Sequence, residues 1–275
     1  MQRVVGKFGG HFDFLDLPDP EAPLIGGLRW GAFEHPLTPA FWVAQAWMTG
    51  KPSQNAFQLG RSLEEEVVYC ILGGYGIPAE VGLAAAERVC GALPDLSDGV
   101  RLHARLRELL RYPLQIGGRS VRYRFAAQRA EYLAGALAML PSIEEVAISD
   151  VALRNALLGL PGVGPKTASW IVRNRRASDE VAILDVHIVR ACRIMGIFPH
   201  AADPVRLYFE LERRFLEFCR ITGSAASSMD AVMWSTMRGL SQKFMQQLVD
   251  GATQVRDSSD RNDLEGVNVG VRRLA

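Results

Sequence analysis

Lys166 and Asp185 are the two side chains of this 275-residue chain whose settings most suit covalent chemistry. Lys166 follows Leu160-Pro161-Gly162-Val163-Gly164, a glycine-pinned turn inside an apolar run, and stands at the mouth of the helix that begins there. Glycines let the chain reverse tightly and bring backbone N–H groups close to an anion. The helix start favours phosphate for the same reason. Such a turn grips a backbone phosphate and reads no base. A neutral amine beside it can attack C1′ of a nucleotide and form a Schiff base. Asp185 comes after Ile183-Leu184, at the mouth of the next apolar helix. It suits an N-cap, and equally a partly buried anion that stabilises positive charge on a sugar or relays a proton. Each part alone has a plainer reading: a helix corner, a lysine touching phosphate, a cap. The spacing of the parts makes the case for chemistry.

The elements that must position these residues read as helices. Thr38-Pro39 is a capping hydroxyl followed by proline at the first helical position, and it opens a buried helix through Met48. Ser62 with Glu65 forms a capping box before a helix that ends at Gly73-Gly74-Tyr75-Gly76. Helices are expected from Pro78 to Cys90, Leu102 to Leu110 and Phe125 to Leu140, from apolar residues at helical spacing. A short helix capped by Ser142 with Glu145, and one over Val151 to Leu158, lead into the turn. Val186 to Met195, Pro204 to Cys219 and Ser227 to Leu248 follow. Residues 1 to 37, rich in Gly, Pro and Asp, read as irregular cover over a core. Val4-Val5 and Val181-Ala182-Ile183 are short strand signals with no hairpin partner, so the fold class expected is all-α. Gly251 onward is polar and reads as a tail.

Net charge is only +1, so bulk charge announces no polyanionic partner. Distribution is more telling. Eight arginines between Arg101 and Arg129 stand in a stretch with few acids, and Arg173, Arg175 and Arg176 follow the turn. The four cysteines, Cys70, Cys90, Cys192 and Cys219, are too widely spaced for a zinc or iron–sulfur site and read as buried thiols of a cytoplasmic protein. His11, His35, His103 and His200 show no metal-ligand spacing, and no metal is expected. The first residues lack a signal-peptide core, and no apolar run approaches the ~18 residues of a membrane span.

With these residues in view, L-P-G-V-G-P-K-T-A followed by I-L-D-V-H resembles the helix-hairpin-helix/Gly-Pro-Asp superfamily of base-excision DNA glycosylases. The resemblance is specific because the lysine and the aspartate both fall at family positions. It spans roughly residues 60 to 240 and is strongest at 157 to 190. The cysteine cluster of the iron–sulfur branches is absent, which leaves the 8-oxoguanine DNA glycosylase/AP lyase branches. Arg122 to Tyr132, and Trp170 to Asn174, are similar to the compact archaeal and bacterial members.

The resemblance implies two helical lobes flanking a DNA-binding cleft. Residues 58–180 would form the lobe with the hairpin, and 181–250 the lobe carrying the catalytic aspartate. Residues 1–57 would pack with that second lobe, and 251–275 would be the tail. Lys166 would be the nucleophile and Asp185 the catalytic carboxylate. Gly162, Gly164, Thr167 and Arg173 would meet DNA, and Tyr75 would enter the gap left by a flipped base, where the family more usually has a small polar residue. Trp170, four residues after Lys166 on one helix face, would stack on the base. Asp230 and Trp234, in M-D-A-V-M-W, would complete the pocket, and His187 would hold the Asp185 turn by hydrogen bonds.

The activity implied is flipping, excision and β-elimination on double-stranded DNA carrying a modified base, 8-oxoguanine first. The alternatives are another or hypermodified base, as in phage DNA with a defence role, or a non-catalytic DNA-binding module. No cofactor is expected beyond a monovalent cation at the hairpin. The protein is expected to be a monomer without membrane contact.

Overall fold

The computed structural model describes residues 1–50, 53, 56–74, 76–96 and 101–240. The chain is mostly helical, with ten α-helices among the described residues. In chain order the elements are β1 (Gln2–Phe8), β2 (His11–Leu17), α1 (Pro39–Thr49), α2 (Leu63–Leu72), α3 (Ala79–Ala92), α4 (Leu102–Arg111), β3 (Leu114–Ile116) and β4 (Arg119–Val121). Then come α5 (Ala126–Met139), α6 (Asp150–Leu157), α7 (Pro165–Arg176), α8 (Val186–Met195), α9 (Tyr208–Thr222) and α10 (Ala226–Gly239). The chain divides into two compact units, Met1–Met233 and Trp234–Ala275. Tyr75 and the tail from 251 lie outside the described residues.

Caps set the helix starts. Thr38, Ser62 and Ser149 accept from the N–H groups of Phe41, Glu65 and Ala152, so α1, α2 and α6 begin where their capping residues stand. One apolar core runs from Leu63 to Val181 and draws on α2 to α7.

Two expectations need correction. The first residues are not irregular. β1 and β2 pair antiparallel from Gln2↔Leu17 to Phe8↔His11, so Val4-Val5 does have a hairpin partner. Gly9 and Gly10, both at positive φ, make the two-residue turn. Buried Gln2 then ties the following loop: its amide donates to Pro18 O and Gly31 O and accepts from Phe33 N–H. Gly117-Gly118 makes the same kind of turn between β3 and β4. The second correction concerns Ser142 and Glu145, which start no α-helix. Leu140–Ser142 is a single 3₁₀ turn, and Glu145 instead accepts a 2.8 Å bond from Arg175 at the far end of α7.

The turn between α6 and α7 follows from its sequence. Val163 N–H bonds Leu160 O at 3.1 Å, with Pro161 and Gly162 between them, and Gly162 has φ +76°. Proline then glycine at these two places is the signature of a type II turn. Leu160 and Val163 are buried and plug the turn into the core. A Cβ on Gly162 would also lie 2.6 Å from the Tyr132 ring on α5, so glycine is required twice over.

Candidate active site

α7 presents Lys166, Trp170 and Arg173 along one face, at i, i+4 and i+7. Its N-cap, Gly164, has extended backbone, no capping side chain and open space around it. Pro165 at the first position has no N–H to satisfy. The next two N–H groups, of Lys166 and Thr167, belong to the turn of a helix that lacks internal partners. An uncapped helix start beside an exposed glycine is a ready seat for one phosphate. Lys166 is half-buried, and its ammonium lies 5.7 Å from the centre of the Trp170 ring. The far edge of that ring abuts Gly73, where an added Cβ would lie 3.2 Å from it. Gly73, at the end of α2, therefore packs against Trp170, and Gly76, past Tyr75, faces Phe125.

Arg173 turns inward. Its guanidinium covers the Phe57 ring at 4.2 Å and stands 3.3 Å from an Asp230 carboxylate oxygen. Arg175 and Arg176 likewise pair with Glu145 and Asp150. The three arginines after the turn thus neutralise acids within the protein and form no free basic face.

Asp230 is 1% exposed, and neither of its oxygens accepts a well-formed hydrogen bond. Burial pushes its carboxyl up to about 7; the Arg173 guanidinium and the Ile183 N–H oppose that rise, and the charge of Asp185 adds to it. Asp230 is therefore close enough to sense Asp185. A carboxyl raised from 3.8 to about 7 in the folded state keeps its proton where the unfolded chain has lost it. Its contribution to stability is full below about pH 4 and is lost as pH rises to about 7. Thermal melts at stepped pH should show a shallower decline across that window in Asp230→Asn than in wild type; superimposable profiles would refute the assignment.

Asp185 caps α8: Oδ1 accepts from the N–H groups of His187 at 2.8 Å and Ile188 at 3.0 Å. Both bonds use Oδ1, which leaves Oδ2 out of the cap. The bond from residue 187 comes from its backbone. The His187 ring does not hold the turn, and its Nδ1 is buried without a partner.

What fixes Asp185 is the buried segment 181–184. Tyr208 on α9 donates to Ala182 O at 2.7 Å and receives the Leu184 N–H at 3.4 Å. Burial pushes the Tyr208 phenol up, so it stays a neutral donor and acceptor. Glu212, one turn on, accepts from Ala182 N–H, from Ser169 Oγ on α7 and from Arg154 on α6. One buried carboxylate thus joins α6, α7, α9 and the aspartate's segment. Sequence reasoning missed Glu212, whose only sequence signal is an acid on the apolar face of a helix.

Trp234 lies in the second unit, where Arg238 covers its ring at 4.9 Å. Among the described residues, no three of His, Cys, Asp and Glu gather as a metal site, and no helix is long and apolar enough to cross a membrane. Two grooves, of about 640 and 650 Å³, lie elsewhere, and neither is lined by Lys166, Trp170 or Asp185.

A family model described as 8-oxoguanine DNA glycosylase matches residues 55–224, which include the hairpin, Lys166, Asp185 and Glu212. The chain belongs to this family. A curated relative, the 8-oxoguanine DNA glycosylase/AP lyase of Fusobacterium nucleatum, is 29% identical over 84 residues, or 30% of this chain. The match spans only 38% of that relative's length. Among solved structures, the chain is similar to the 8-oxoguanine DNA glycosylase of Thermotoga maritima, at 23% identity and TM-score 0.49 over 65% of this chain and 80% of that one. It is also similar to the 8-oxoguanine DNA glycosylase of Methanocaldococcus jannaschii, at 26% identity and TM-score 0.48 over 66% of this chain and 81% of that one.

Proposed function

We propose that this family member is a bifunctional DNA glycosylase/AP lyase that excises 8-oxoguanine from duplex DNA. The observation that carries the reading is half-buried Lys166, in the first turn of a helix with no capping side chain, with its Nζ 5.7 Å from the centre of the Trp170 ring. The hairpin and the first N–H groups of α7 hold a phosphate of the damaged strand. The target nucleotide leaves the stack, and its purine lies against Trp170. Lys166 Nζ, after its ammonium has lost a proton to solvent, attacks C1′; the N–C1′ bond forms as the glycosidic bond breaks, and the departing base takes up a proton from water. Asp185 stabilises the positive charge on the sugar and accepts the proton that the lysine sheds. Opening of the sugar ring gives the Schiff base. Loss of a C2′ proton then expels the 3′ phosphate, and hydrolysis of the imine restores the lysine.

The test is base release and strand nicking on duplexes carrying 8-oxoguanine, an oxidised pyrimidine or glucosylated hydroxymethylcytosine, with borohydride present to trap the imine. Release and trapping on the 8-oxoguanine duplex are expected. Release from another member alone would overturn the substrate. Salt-dependent binding with no release would leave a binding module.

Asp185→Asn separates the aspartate's two roles. Asparagine caps a helix about as well as aspartate, so the melting temperature should stay near that of wild type. The loss of charge at the sugar should cut single-turnover excision by about 10²- to 10³-fold. An unchanged rate would reduce Asp185 to a cap.

A further inference from the structure

The eight arginines between Arg101 and Arg129 share their stretch with one acid, Glu108. Only Arg105 is paired with it, at 2.7 Å. The contrast with Arg154, Arg173, Arg175 and Arg176, each held by a carboxylate, is sharp. Unneutralised charge is therefore concentrated on this part of the surface.

α4 organises it. Leu106 and Leu110 turn into the core. His103, Arg107 and Arg111 stand at i, i+4 and i+8, all exposed, on a flank of the same helix. Successive members are about 6 Å apart along the axis. With Ala104, Glu108 and Tyr112 they line an open groove of about 640 Å³. Tyr112 is 61% exposed, a flat apolar face beside two arginines. Two exposed arginines one turn apart with an adjoining aromatic complement a polyanion made of phosphates and flat rings.

We infer that this groove is a second DNA-binding surface, which holds the phosphate backbone of the duplex flanking the modified base. The inference rests on the function proposed above. α4 packs on α5, and α5 carries the Tyr132 and Gly135 positions that abut Gly162 and Pro161 of the hairpin. The stripe is thus about two helix-packing steps from the hairpin, on the order of 20 Å. That distance is about six base pairs along a duplex. Neither arginine touches the residues assigned to chemistry, so the groove adds affinity and leaves the bond-breaking steps alone.

The test compares wild type with Arg107→Gln/Arg111→Gln on duplex DNA at several salt concentrations. Arg213→Gln/Arg220→Gln is the charge-matched control, removing two exposed arginines from α9. The α4 variant should bind roughly tenfold more weakly, and its log–log salt slope should be shallower by about two. Its single-turnover excision rate at saturating enzyme should equal that of wild type. Equal affinity and slope, or a loss no greater than in the α9 control, would overturn the inference and point to another occupant, such as an acidic polypeptide. A wild type that fails to bind duplex DNA would sink the functional reading itself, which keeps the two failures apart.

Discussion

Lys166→Ala is expected to abolish the borohydride-trapped complex and to slow base release and nicking by on the order of 10⁴-fold or more, the scale seen when a covalent nucleophile is removed. The substitution is well suited to the question because Lys166 carries little structural load. It is half-buried, forms no hydrogen bond or ion pair among the described residues, and meets the Trp170 ring 5.7 Å away. A cation–π contact of that kind contributes at most about 1 kcal/mol where water still reaches it. The alanine is also a good helix former in the first turn of α7. The variant should therefore melt near wild type while its chemistry disappears. Binding to duplex DNA should persist, since the phosphate seat is backbone at Gly164 and the α7 start. Base release that survives without nicking would assign the first step to a water activated by Asp185, leaving Lys166 only the lyase step. Trapping that survives at the wild-type level would remove Lys166 from the mechanism.

What could be read from sequence was local. The Pro161-Gly162 turn, the caps at Thr38 and Ser62, and the span of α8 each depend on residues within a few positions of one another. Asp185 could be read as a cap for the same reason, since both bonds it accepts come from the next three residues. The two hairpins are local as well. Their signal was Gly-Gly between short alternating runs, at Gly9-Gly10 and Gly117-Gly118.

The supports of the site were not local. Glu212 bonds partners 30, 43 and 58 residues away in sequence. Arg173 meets Asp230 from another helix. No periodicity marks such pairs, because each side chain alone looks like an ordinary solvated charge. The same holds for the arginines. By composition, Arg173, Arg175 and Arg176 looked as available to DNA as Arg107 and Arg111. Only the fold shows that the first three are neutralised and the last two are not.

Glu212→Ala is expected to cost about 3–5 kcal/mol, because it leaves a buried guanidinium without its counter-charge. Arg154 and Glu212 are 8% and 6% exposed and meet at 2.7 Å. The melting temperature should fall by roughly 10 °C for a chain of this size. Stability alone would not distinguish a support for Asp185 from any other buried pair. The double variant Arg154→Met/Glu212→Leu does. Replacing both charges with apolar groups of similar volume removes the stranded cation, and such exchanges are often neutral or stabilising. Its melting temperature should recover most of the loss, with an interaction between the two sites well above the ~0.5 kcal/mol expected of independent ones. Excision should not recover with it. The Ala182 N–H, which Glu212 accepts at 3.0 Å, still lacks its partner, so the segment that ends at Asp185 loses one of the side-chain bonds that hold it and keeps those of Tyr208 and Asp230. A displacement of about 1 Å in a catalytic group costs on the order of 10²-fold in rate. The expected result is therefore a folded double variant whose KM is near wild type and whose kcat is depressed. If kcat returns along with stability, Glu212 is a buried counter-ion and nothing more; if it stays low, its bond to Ala182 is what positions Asp185.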